Sequence, residues 1–200
     1  MEHAGTLRLE SARLLLRPFV LGDADAMFRN WASDAEVTRF LTWSPHADRA
    51  VTQALLETWT AQYADPTFYQ WAIVPKSLGE PIGAISVVQP IDARIRAAEI
   101  GYCIGRPWWH EGITSEAFSL VIDFLFDRVG VNKIVARHDT ENPRSGRVMQ
   151  RCGLRREAWF RQKCRYTKQG VVFWEDELEY ALLLSEWKEK RGDHGSVRTH

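Results

Sequence analysis

The residues best placed to do chemistry lie in one stretch, Glu99-Ile-Gly-Tyr-Cys-Ile-Gly-Arg-Pro-Trp-Trp-His-Glu-Gly-Ile-Thr-Ser-Glu-Ala117. Gly112 sits just before a run with apolar residues at Phe118, Ile122, Leu125 and Val129, the spacing of a helix. The first backbone N–H groups of a helix have no intrahelical partner and lie at the positive end of its dipole. A glycine there lets an anion come close. The turn residues His110, Glu111, Gly112, Ile113 and Thr114 therefore offer a row of backbone donors to a phosphate. Plain turn chemistry accounts for the same glycine, so both readings stay open. Glu99, an acid on the strand that enters the turn, is a general-base candidate. Its alternative is an ion pair with Arg94 or Arg96.

These groups need a scaffold. Ile100, Tyr102 and Ile104 alternate with Glu99, Gly101 and Cys103, which predicts a strand within Arg94–Ile104. A helix follows from about Thr114 to Arg128, and Val131–His138 reads as the next strand. Strand, helix, strand at this length implies a parallel pair with a right-handed crossover. Upstream, Leu14–Phe19 is a strand, Asp23 opens a helix carrying Met27 and Trp31, and Asp48 opens one with Val51, Leu55 and Trp59. Phe68–Val74 and Pro81–Val88 are further strands. Downstream, Asn142 caps a helix with Pro143 at its first position, and Gly153 closes it. Arg156–Tyr166 and Val171–Leu184 form a long hairpin turning at Lys168-Gln-Gly170. Residues 1–6 read as a loose start and 189–200 as a disordered tail. The expected class is α/β in the α+β sense: one domain over 1–188, with a mixed sheet and helices on both faces.

Composition narrows the function. At 45% hydrophobic and 26% charged, the 200 residues suit one domain with a sizeable core. The formal net charge of zero gives no general field toward nucleic acid or an anionic membrane, so neither is expected as a partner. Cys103, Cys152 and Cys164 make no disulfide framework and no CxxC pair, so no metal is expected and the setting reads as reducing and cytoplasmic. No apolar run reaches membrane-spanning length, and the first residues do not form a secretory signal.

Trp109-His-Glu-Gly-Ile-Thr-Ser-Glu-Ala117, preceded by Glu99-Ile-Gly-Tyr102, resembles the acetyl-CoA-binding signature of the GNAT superfamily of N-acetyltransferases. Asn142-Pro-Arg-Ser145, Val148 and Cys152-Gly-Leu154 resemble its second coenzyme motif. Arg13-Leu-Leu-Leu-Arg-Pro-Phe19, Glu177-Leu-Glu-Tyr-Ala181 and Ser185-Glu-Trp187 resemble the Rim-type branch, which includes acetyltransferases of ribosomal-protein N-termini. The likeness runs over roughly residues 7–188. It implies acetyl transfer from acetyl-CoA to a primary amine, a protein N-terminus or a small molecule, in a monomer or homodimer. It implies a sheet splayed between the two strands flanking the cradle. The pantetheine arm would lie against Tyr102, Cys103 and Ile104, with the oxyanion at a backbone N–H near Tyr102 or Cys103. The cradle would extend through Ser115, and Asn142, Arg144, Ser145 and Arg147 would meet the coenzyme.

The same likeness places Ser145 near the sulfur. Met149 stands near the place, four residues on, where many members carry a tyrosine as proton donor to the thiolate, and cannot donate, which leaves Ser145 or water as the acid. Trp109 stands where the family pattern often has Gln or Arg, and Thr114 where Gly or Ala is common. Of the aromatic residues Trp31, Phe40, Trp43, Trp71, Trp159, Phe160 and Trp174, most are expected in the core and a few along a cleft between the N-terminal helices and the hairpin. Glu157 and Glu175 are acidic candidates for that cleft, and His46 reads as a loop histidine. Two rivals remain: a non-catalytic acyl-CoA-binding module on the same fold, and another phosphate-ligand protein. Neither GxxxxGK[ST] nor GxGxxG is present to support the second.

Overall fold

The computed structural model describes residues 1–168 and 171–192. Its strands are β1 (Leu9–Glu10), β2 (Leu14–Arg17), β3 (Gln70–Pro75), β4 (Gly83–Val87), β5 (Ala97–Ile104), β6 (Lys133–Asp139), β7 (Arg155–Lys168) and β8 (Val171–Leu183). They form one 8-stranded sheet in the order β1-β2-β3-β4-β5-β6-β8-β7. The helices are α1 (Ala24–Met27), α2 (Ala35–Thr38), α3 (Arg49–Gln62), α4 (Ile113–Phe124), α5 (Pro143–Arg151) and α6 (Leu184–Gly192). The last turn of α4 widens to π geometry over Leu125–Val129.

Helices lie on both faces, which is why β3 is buried at every position. Trp71 and Ile73 pack with Phe118, Val121 and Ile122 of α4 and Met149 of α5. On the other face, Ala72 and Val74 pack with Met27, Trp31, Val37 and Leu56 of the N-terminal helices. Alternate residues of one strand thus serve two cores, the signature of a sheet covered on both sides.

The sheet is antiparallel except for β5 and β6. These pair in parallel at Ala97↔Lys133, Ala98↔Ile134 and Glu99↔Val135, joined by the α4 crossover. Beyond Glu99 they part. Ile100–Ile104 continue on β4, and Ala136–Asp139 continue on β8. This is the expected splay. In the β4–β5 ladder, Val88 N–H donates to Glu99 O and Gly105 N–H to Ile82 O, both at 2.9 Å. By antiparallel alternation the backbone of Cys103 faces β4, while Tyr102 and Ile104 turn their N–H and C=O toward the gap. Of the two residues expected to present an oxyanion donor, Cys103 is therefore corrected: its backbone is committed to the ladder.

Other expectations shift with tertiary contacts. Asp23 does not cap α1 with its side chain. Its carboxylate is buried and takes both Arg17 nitrogens, at 2.7 and 2.8 Å, and Val20 N–H at 2.9 Å. Asp48 does cap α3, accepting from Val51 N–H at 3.1 Å. The first residues are tied down rather than loose: Glu2 N–H donates to Val129 O, His3 Nδ1 meets the Tyr69 hydroxyl, and Thr6 Oγ1 donates to Phe68 O. Residues 189–192, read as tail, continue α6. Residues 193–200, and Gln169 and Gly170 of the hairpin turn, lie outside the described residues.

Gly83 connects fold and splay. A Cβ there would stand 2.4 Å from Cys103 O and 3.0 Å from Ile104 Cα, and backbone cannot yield as a side chain does. Gly83→Ala is expected to cost about 2–3 kcal/mol, read as a lower midpoint in urea unfolding with an unchanged slope.

Candidate active site

The cradle is built by a tight exit from β5. Trp109 Nε1–H donates to Ile104 O at 2.9 Å, fastening the turn to the strand end. His110 and Gly112 both take left-handed backbone, with φ of 68° and 73°. Gly112 is the N-cap of α4, a conformation in which any other L-residue is strained. No side chain caps this helix, so its leading N–H groups are left for a ligand or water. Ser115 Oγ is buried with no hydrogen-bond partner among the described residues, a second polar group awaiting a partner. The turn is held from outside. Ser11 Oγ and Arg13 Nε donate to the Glu116 carboxylate, and Arg13 Nη2 donates to Glu111 O at 3.1 Å. These features fit an anionic group of the kind acetyl-CoA carries.

Facing the cradle is α5. Asn142 Oδ1 accepts from Ser145 N–H at 3.4 Å, the expected cap. The helix seats closely on β6 because residue 146 is glycine: a Cβ there would come 2.6 Å from His138 Nε2. The Tyr102 hydroxyl, from β5, lies 3.0 Å from both Ser145 O and Ser145 Oγ. Burial holds the Tyr102 phenol well above its usual range, so it stays protonated. Met149 is in the core, 1% exposed. A tyrosine hydroxyl is present beside Ser145 after all, supplied by the sheet rather than by α5.

A groove of about 540 Å³ runs between cradle and helix. Tyr102, Cys103 and Ile104 border it from β5; His110, Gly112, Ile113, Thr114 and Ser115 from the cradle; Asn142, Arg144, Ser145 and Arg147 from α5. Glu111 and Glu99 do not border it. Glu111 is exposed and contributes its carbonyl to Arg13.

Glu99 belongs to a second cavity of about 910 Å³, between the N-terminal helices and the β7–β8 hairpin. One wall is aromatic, with Trp31, Phe40, Trp43 and Trp59; the sheet side carries Glu99, Arg137, Glu175 and Glu177. The two cavities share Phe40, Leu41, Tyr102, Cys103, Asn142 and Ser145, and so meet at the splay. Glu99 is ion-paired, but to Arg137 at 2.7 Å and not to Arg94 or Arg96. Arg137 also holds Glu179 at 2.7 Å. Nothing in the sequence around Arg137 marks it, because its two partners come from two other strands, β5 and β8.

His46 lies on a loop, as expected, and borders the cavity: its Nδ1 meets Thr52 Oγ1 at 2.8 Å, and its ring lies 5.2 Å from that of Trp43. Burial lowers its pKa, keeping the imidazole neutral near pH 7. Trp71 is core, Trp159 and Trp174 are exposed, and Glu157 pairs with Lys133. Among the described residues no cluster of three His, Cys, Asp or Glu is arranged to hold a metal ion, and no helix is long and apolar enough to cross a membrane.

This geometry has known counterparts. Residues 13–155 match the model of the acetyltransferase (GNAT) domain family. The chain is 32% identical over 154 residues to an uncharacterized N-acetyltransferase of Bacillus subtilis, YoaA, covering 77% of this chain and 86% of that protein. It is 25% identical over 187 residues to the [ribosomal protein uS5]-alanine N-acetyltransferase of Escherichia coli, covering 90% and 93%. Among solved structures, a GNAT-family acetyltransferase from Bacillus anthracis superposes with a TM-score of 0.76 at 24% identity, covering 90% of this chain and all of that one, a likeness of fold. The cradle before α4, the splay beside it and the match over most of the chain make this protein a member of the GNAT family of acetyl-CoA-dependent N-acetyltransferases.

Proposed function

We propose that this enzyme passes the acetyl group directly from acetyl-CoA to a primary amine, either the α-amino group of a protein N-terminus or the amine of a small molecule. One observation carries the reading: the groove and the second cavity share Tyr102, Cys103, Asn142 and Ser145, so reactants entering from the two faces meet at the splay. The coenzyme's pyrophosphate lies on the N–H groups of residues 110–115 and on the Ser115 hydroxyl. Its pantetheine arm pairs with the free edge of β5 as an added strand would. Arg144 and Arg147, which border the groove from α5, face the coenzyme's phosphates.

The amine nitrogen attacks the thioester carbonyl carbon, and the developing oxyanion is met by Tyr102 N–H. As the C–S bond breaks, Ser145 Oγ–H passes its proton to the leaving thiolate, with the Tyr102 hydroxyl 3.0 Å behind it, and the proton shed by the attacking amine returns through water to Ser145. An α-amine, of pKa roughly 7.7–8.0 and about a tenth neutral at pH 7, needs only water as base. A lysine-like amine, near pKa 10.4, calls on Glu99. The bond to Arg137 uses Glu99 Oε2, and Oε1 has no hydrogen bond among the described residues. The uS5-alanine enzyme among the relatives favours the α-amine. Direct transfer is favoured because burial pushes the Cys103 thiol up to about 12, leaving no thiolate at the splay to form an acyl-enzyme. Three free cysteines suit a reducing, cytoplasmic setting.

The first test is thermal unfolding with acetyl-CoA, against ATP and NAD controls. At a hundred times the dissociation constant binding adds about 2.7 kcal/mol, which for this chain length raises the midpoint by roughly 5–10 °C. A rise with acetyl-CoA alone supports the reading, and no shift at millimolar acetyl-CoA overturns it. With an acceptor found by thiol release from an amine panel, Ser145→Ala is expected to lower kcat about a hundredfold with a smaller change in KM for acetyl-CoA. Intact mass after acetyl-CoA without amine should show no acetylated protein; an adduct on Cys103 would replace direct attack by a two-step route. Glu99→Gln should slow a lysine-like acceptor roughly tenfold or more at pH 7 while sparing an α-amine. Equal loss on both would make Glu99 a structural ion-pair partner.

A further inference from the structure

The side chain of Trp109 cannot replace a phosphate-binding Gln or Arg, but it holds something that can. The Arg144 guanidinium lies over the Trp109 ring, 4.9 Å from its centroid. Arg144, Arg147 and Arg151 occur at i, i+3 and i+7 on α5, one face of the helix, and all three border the groove. Among the described residues none of them has a carboxylate partner. The far end of α5 is fastened to the cradle helix, where Cys152 Sγ donates to Ser115 O at 3.3 Å. The arginine row therefore runs from Ser145 at the splay to the first turn of α4. Three like charges along one wall repel one another, and a ligand with several negative charges relieves that repulsion.

We propose that this arginine row is the phosphate-reading wall of the groove, that Arg147 and Arg151 select the 3′-phosphorylated form of coenzyme A over 3′-dephospho-coenzyme A, and that Trp109 is a positioning residue holding Arg144 at the pyrophosphate. The proposal rests on the acetyl-CoA reading above. It shifts the side-chain phosphate contact from the turn to the facing helix. Arginine suits the role because its planar fork meets phosphate oxygens with two hydrogen bonds at once.

The test is titration calorimetry on the full chain at fixed salt, with coenzyme A and 3′-dephospho-coenzyme A. The wild type should bind coenzyme A roughly tenfold or more tightly than the dephospho form. The double variant R147Q/R151Q should bring that ratio close to one, changing the dephospho affinity only a few-fold, and should flatten the salt dependence of coenzyme A binding. Trp109→Leu should weaken both ligands, and Trp109→Phe, which keeps an aromatic face, should restore most of the loss. Trp109 also packs in the core, so Arg144→Gln reports the same contact should Trp109→Leu not fold. Equal wild-type affinities, or a ratio unchanged in the double variant, overturns the proposal. A wild type that binds neither ligand overturns the acetyl-CoA reading instead.

Discussion

Everything functional in this molecule depends on two neighbouring strands losing contact in the middle of a sheet. β5 and β6 are paired as far as Glu99↔Val135 and then diverge. Backbone N–H and C=O groups at the centre of a sheet are strongly driven to pair, and leaving them open is costly unless something else takes their place. Here the ladder to β4 and the ladder to β8 each continue past the break, so both strands stay anchored on their outer sides. The gap is consequently a rigid slot with free hydrogen-bonding edges, suited to an extended amide-bearing chain.

The slot is kept open by what packs around it. On one face α5 stands over the break, seated on β6 through Gly146 against His138 and tied to β5 through Tyr102 and Ser145. On the other face the Glu99–Arg137–Glu179 network links β5, β6 and β8 just where pairing ends. A guanidinium between two carboxylates satisfies charges that would otherwise face a partly desolvated cavity. The arrangement separates duties by face: cradle, hydroxyls and arginines toward the groove, aromatic wall and carboxylates toward the second cavity.

The parts of the site that were legible in the sequence are those made by neighbours along the chain. Gly112 before an apolar helical repeat located the cradle, and Asn142 before Pro143 located the cap of α5. The ends of several elements shifted by a few residues, because backbone pairing and not side-chain period sets where a strand stops. Asp23 had the right residue type for a cap, yet the half-buried Arg17 at the end of β2 claimed its carboxylate. Glu99 was expected as a base or as the ion-pair partner of Arg94 or Arg96, but the partner it has, Arg137, lies on a strand reached only after the α4 crossover.

Sequence alone determined the order of elements, the two-sided sheet, the glycine turn and the family likeness, because each is written in local spacing and residue type. Tertiary structure alone decided that Tyr102 supplies the hydroxyl beside Ser145, that His46 borders the second cavity, that Arg144 rests on Trp109, and that Tyr102, not Cys103, turns its backbone to the gap. Each of these joins residues from different elements, and only packing and strand register fix which of them meet.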